Sequence, residues 1–107
     1  MSDWKDVWKD AVTAATGKLQ SRGKDAADFL QEAAAARKAS LESLLAAFAD
    51  GQIDEATLRA ELEDEKRIFR AELLAAQAIG KAAAQSAANA FFDVIETAAK
   101  RAISGLL

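Results

Sequence analysis

Apolar side chains recur every eleven residues in this chain, at Trp8, Leu19, Leu30 and Leu41 in the first half and at Leu62, Leu73, Ala84, Ile95 and Leu106 in the second. Eleven residues over three helical turns is a period of about 3.67, so the stripe drifts only about 20° per repeat along an α-helix. A second row flanks each ladder, with Trp4, Ala15 and Ala26 beside the first and Leu58, Phe69, Gly80, Phe91 and Ala102 beside the second. Each half therefore reads as a helix with one apolar face.

The two ladders mirror one another, because Leu41 with Leu62, Leu30 with Leu73, Leu19 with Ala84 and Trp8 with Ile95 all have residue numbers summing to 103. A chain reversal near residue 51 would set these pairs side by side. The segment Asp50-Gly51-Gln52-Ile53 carries the strongest turn signal, since glycine readily takes the left-handed conformation that ends a helix. Asp54 is placed to cap the next helix, and Ile53 and Leu58 have the spacing of a hydrophobic staple. The pattern predicts a long antiparallel hairpin spanning 1–107: a helix over about 3–49 capped by Ser2, a turn at 50–53, and a helix over about 54–106. The second helix would be about 75 Å long.

Glycine weakens two places in this scheme. Gly17 and Gly23 each cost about 1 kcal/mol relative to alanine inside a helix. A loop over 17–23 would give a short first helix and a three-helix chain. The step from Trp8 through Leu19 to Leu30 nevertheless stays in phase across both glycines, which favours a continuous helix. Gly23 and Gly80 also sum to 103, so two residues without side chains would meet halfway along the hairpin, with alanines around them allowing close approach.

The apolar faces are wider than one helix can cover, notably Leu44, Leu45 and Phe48, and Phe91, Phe92, Val94, Ile95, Ala99 and Ile103. A second hairpin would cover them, giving a dimeric four-helix bundle. Its core and dimer contacts fall to Trp8, Leu19, Leu30, Leu41, Leu62, Leu73 and Ile95. Composition agrees with an all-α fold, because 28 residues are alanine and proline is absent.

Charge is unevenly distributed. Residues 1–24 hold five basic and three acidic side chains, 25–65 hold three and eleven, and 66–107 hold six and three, for balances of +2, −8 and +3. A hairpin would have an acidic turn end and a basic open end, which favours an antiparallel homodimer.

Chemistry is thinly represented. Without cysteine or histidine there is no disulfide, no thiolate metal site and no imidazole general base. The sequence thus leads to no catalytic residue, metal ligand or cofactor site. Glu61, Glu63, Asp64, Glu65 and Glu72 could imitate part of a carboxylate metal site, but Lys66, Arg67 and Arg70 follow at once. A salt-bridged helix surface, with Lys38 opposite Glu65, is the simpler reading.

At the expected open end Trp4, Trp8, Phe91, Phe92 and Leu106 gather beside Lys5, Lys9, Lys100 and Arg101, a combination that suits a membrane or granule surface as well as it plugs a bundle core. The acidic balance and the lack of an arginine-rich face argue against nucleic acid. No stretch has the length of a membrane span and the N-terminus lacks a signal-peptide core, so a cytoplasmic protein is expected. The residues point to a non-enzymatic homo-oligomeric interaction protein, a small scaffold, adaptor or regulator of an unidentified protein partner, with peripheral lipid or granule association as the alternative.

Overall fold

A computed structural model describes residues 4–76 and 79–106, with side chains over 4–76 and 79–101. The Ser2 cap and the side chains of Ala102, Ile103 and Leu106 lie outside the described residues. The chain forms four helices, α1 (Trp4–Gly17), α2 (Lys24–Ala49), α3 (Glu55–Leu74) and α4 (Lys81–Leu106), with a single 3-10 turn at Gln20–Arg22 between the first two. All regular structure among the described residues is helical.

The expected helix over 3–49 is thus two helices, and so is that over 54–106. The molecule measures 43 × 24 × 19 Å, far short of the roughly 75 Å of a continuous second helix. The breaks fall at glycines with positive φ, Gly23 at 88° and Gly80 at 79°. Between α1 and α2 the backbone tightens into three-residue hydrogen bonds, Lys18 N–H to Ala15, Leu19 N–H to Thr16 and Arg22 N–H to Leu19. Leu19 sits in this loop yet is buried, as is Ile79 in the other connection, so both apolar loop residues close the end of the core. That explains why the eleven-residue step stays in phase through a loop: Leu19 faces the core without belonging to a helix.

The turn at 50–54 follows the sequence closely. Gly51, at φ 76°, ends α2, with its N–H donating to the Phe48 carbonyl and the Gln52 N–H to that of Ala47. This paired arrangement satisfies carbonyls that a helix end leaves open. Asp54 caps α3 by accepting a 2.8 Å hydrogen bond from the Thr57 N–H. That backbone donor, and then the Thr57 hydroxyl, hold the Asp54 carboxyl below its ordinary value of 3.8. Because the folded carboxyl titrates below the unfolded one, the cap stabilises fully above about pH 4 and is lost as pH falls through the lowered value. Asp54→Asn keeps an acceptor without a charge, so its urea midpoint should fall less than that of the wild type between pH 5 and pH 2.

The helices run alternately up and down, each packed against two neighbours, with α1 against α4 and α2 against α3 the most extensive contacts. Within these two pairs the mirror survives. Arg37 of α2 meets Glu65 of α3, a pair summing to 102, while Asp6 and Thr97, and Asp10 and Asp93, line one groove between α1 and α4 and sum to 103. A Cβ on Gly80 would lie 3.9 Å from the Arg22 guanidinium, so the side chain of one connection reaches the other. The fold is the expected hairpin jack-knifed across its middle, reversing direction at three places instead of one.

This folding buries Phe91, Phe92, Ile95 and Ala99 within one chain and partly covers Leu44, Leu45, Phe48 and Val94. Ala11 and Ala15 of α1 and Ala83, Ala84, Ala87 and Ala88 of α4 are buried, and small side chains on facing helices allow close approach.

Candidate interaction surface

An aromatic cluster joins three helices. Trp8 of α1 meets Phe91 of α4 edge to face at 5.3 Å, and Phe69 of α3 lies 4.9 Å from Phe91 and 6.0 Å from Phe92. Trp4 stacks at a tilt on Trp8 at 5.9 Å. Helix α2 adds polar contacts: Glu42 accepts a 2.9 Å hydrogen bond from the Trp4 indole, and Lys38 Nζ sits 5.8 Å from the centre of the Trp8 ring. Leu19, Leu30, Leu41, Leu62, Leu73 and Ile95 are at most 1% exposed, whereas Trp8 is half-buried.

The group expected as a surface-contact end is thereby divided. Phe91 and Phe92 are buried in the core and Trp4 and Trp8 are half-covered, so the folded molecule does not present these four rings together to a lipid surface. Apolar residues on two sides of α4 answer to α1 and α3, its neighbours in the bundle.

The acidic stretch of α3 is a salt-bridged surface. Arg37 lies 3.3 Å from Glu65 and 3.1 Å from Glu72, bridging α2 to α3, while Lys66 pairs with Glu63 and Arg67 with Asp64 on α3 itself. Arg37 takes the place opposite Glu65 that was expected of Lys38, whose ammonium sits over Trp8 instead. Arg70 reaches Gln85 of α4 at 3.0 Å. No group of three or more acidic side chains is arranged to hold a metal among the described residues.

Among the described residues, an apolar strip on α3 is left uncovered. Ile68 and Leu74 of α3 are 44% and 43% exposed, the large apolar side chains most open to water among the described residues. With the exposed Ala71 and Ala75 they occupy a sector about 120° wide on the last two turns of α3. Sequence periodicity could have found it, since these positions fall outside the ladder of Leu62, Phe69 and Leu73.

The fold and this strip define an all-helical bundle with an outward apolar helix edge. No helix of the described residues is long and apolar enough to cross a membrane. No protein-family model, curated protein or solved structure matches the chain.

Proposed function

We propose that this protein is a non-enzymatic interaction protein, a small scaffold, adaptor or regulator that works as a homo-oligomer. The observation that carries the reading is the exposed strip of Ile68, Ala71, Leu74 and Ala75. A second copy related by a twofold axis would lay its own α3 antiparallel against this one, centred near Ala71, whose small side chain permits close packing. Arg67 and Asp64, in the same sector on the preceding turn, are more than half exposed and paired, so such an interface carries a charged end.

Sedimentation tests this directly. Wild-type protein should self-associate as its concentration rises, and Ile68→Ser/Leu74→Ser should weaken that association at least tenfold with unchanged helicity, since polar substitutions at half-exposed sites cost the fold little. A wild-type chain that remains monomeric to several hundred micromolar would refute the reading.

A further inference from the structure

We infer that the molecule can open at its two glycine hinges and exchange helix pairs with a second copy, forming a dimer of extended hairpins distinct from any assembly through the α3 strip. Three observations lead there. Contacts within the α1–α4 and α2–α3 pairs scatter around one mirror sum, from 99 for Trp8 with Phe91 to 102 and 109 for Arg37 with Glu65 and Glu72, so straightening the chain at both hinges keeps both pairs close to one register. The ladder also stays in phase across each hinge, from Leu19 to Leu30 and from Leu73 to Ala84, so straightened helices would carry one unbroken apolar face. Finally, the Arg22 side chain of the first connection reaches Gly80 of the second, so both hinges lie at one end of the bundle.

Opening breaks only the contacts that jack-knifing made. These include Trp4 with Glu42 and Trp8 with Lys38 between α1 and α2, and Phe69 with Phe91 and Phe92 and Arg70 with Gln85 between α3 and α4. In the exchanged dimer each re-forms with the partner, so that Trp8 meets the partner's Lys38 and Phe69 the partner's Phe91. Exchange of identical elements is a low-cost route to dimers because it invents no new interface. Charge fits as well, since the acidic 25–65 portion of one copy would again lie along the basic segments of the other. A second copy is therefore the occupant that suits the opened face.

The hinges supply the test. Gly23 has φ 88° and ψ 178°, a region that only glycine occupies readily, and a side chain there would meet nothing within 4 Å. At Gly80 an added Cβ would touch only the Arg22 guanidinium, at ordinary contact distance. Alanine at either site thus acts through the backbone alone, disfavouring the hinge and favouring the straight helix. Gly23→Ala/Gly80→Ala should tighten dimerisation by roughly a thousandfold or more. Small-angle scattering should then show a particle of about 75 Å, in place of the closed molecule's 43 Å.

Cysteine pairs report which copy supplies each contact, because the chain has no cysteine of its own. With a short bismaleimide, Arg70→Cys/Gln85→Cys should link within one chain in the monomer and between chains in the exchanged dimer. Arg37→Cys/Glu65→Cys should link within one chain in both. Two alanines inserted after Ser21 would turn the stripe by about 200° in a straight helix but only lengthen a loop in the closed form, so they should abolish the dimer. A double variant that stays monomeric with wild-type helicity, a dimer with only intrachain 70–85 links, or a dimer that survives the insertion would each overturn the inference. Should the double variant fail to fold, the 70–85 pair in otherwise wild-type protein, refolded at millimolar concentration, decides: interchain links support exchange, and intrachain links alone overturn it. Ile68→Ser/Leu74→Ser leaves the exchanged contacts intact, so the two forms of self-association fail independently.

Discussion

Leu73→Glu should abolish cooperative unfolding at 25 °C, leaving a chain whose circular dichroism declines gradually with temperature and whose urea curve has no native baseline. Leu73 is fully buried on the face that α3 turns to the core, and Leu30, its mirror partner on α2, is equally buried. A carboxylate there loses hydration with no cation designed to receive it, at a cost of several kcal/mol, in addition to the apolar contact removed with leucine. Stability for a chain of this size is about 5–15 kcal/mol, so the substitution consumes most or all of it. Leu30→Glu should do the same. Leu74→Glu, one position along on a side chain that is 43% exposed, should leave the melting temperature within a few degrees of the wild type. A Leu73→Glu protein that melts sharply near the wild-type temperature would show that this side of α3 faces water.

The contrast between Leu73 and Leu74 also marks what could be read in the amino-acid sequence. Leu19, Leu30, Leu41, Leu62, Leu73, Ala84 and Ile95 were placed on the inner face by the eleven-residue step alone, and all are buried. The turn at Gly51 and the cap at Asp54 were legible because their signals are local: one glycine, one carboxylate and the amide three residues on. The break at 17–23 is legible only as an alternative, on Gly17 and Gly23, and that at 75–80 is not. Their signal is a balance between a local cost and a distant gain, and only the first is visible in a pattern. Glycine makes the bend inexpensive, while the gain lies in covering α4 from two sides, by Trp8 of α1 and Phe69 of α3, within one chain and at any concentration. The α3 strip is legible in principle, because Ile68 and Leu74 fall outside the ladder of Leu62, Phe69 and Leu73.

Charge makes the same point. An acidic turn end and a basic open end were read as poles that two antiparallel chains would bring together, but jack-knifing brings them together inside one chain. Glu55 and Arg59, just after the turn, line a groove with Glu96 and Lys100 near the end of α4. Helix α2, within the acidic portion, meets the start of α1 through Glu42 and Trp4. Complementary poles thus specify which ends meet and leave open whether they belong to one copy or two. Identical contacts would serve both arrangements, so under the exchange proposed above the hinge glycines would decide between them.

Phe91→Ala should lower stability by about 3–5 kcal/mol, the largest loss expected from any single truncation to alanine in this core. Phe91 is fully buried and contacts Trp8, Phe69 and Phe92 at centroid separations of 5.3, 4.9 and 5.2 Å, so one ring ties α1 and α3 to α4. Aromatic pairs contribute about 0.5–1.5 kcal/mol each beyond the area they bury, and three are lost together. Ala87 and Ala88, one turn before Phe91, have no side chain long enough to fill the space left behind. With a urea dependence of about 1–3 kcal/mol per molar, the midpoint should fall by roughly 2 M, and tryptophan emission should shift to the red as Trp8 loses its edge-to-face partner. Phe29→Ala, on the half-buried outer part of α2, is the comparison: it should cost clearly less and leave the emission in place. A Phe91→Ala chain within 1 kcal/mol of the wild type would mean that α1 is held to α4 by its alanines alone, and the aromatic cluster would then have no structural role in closing the bundle.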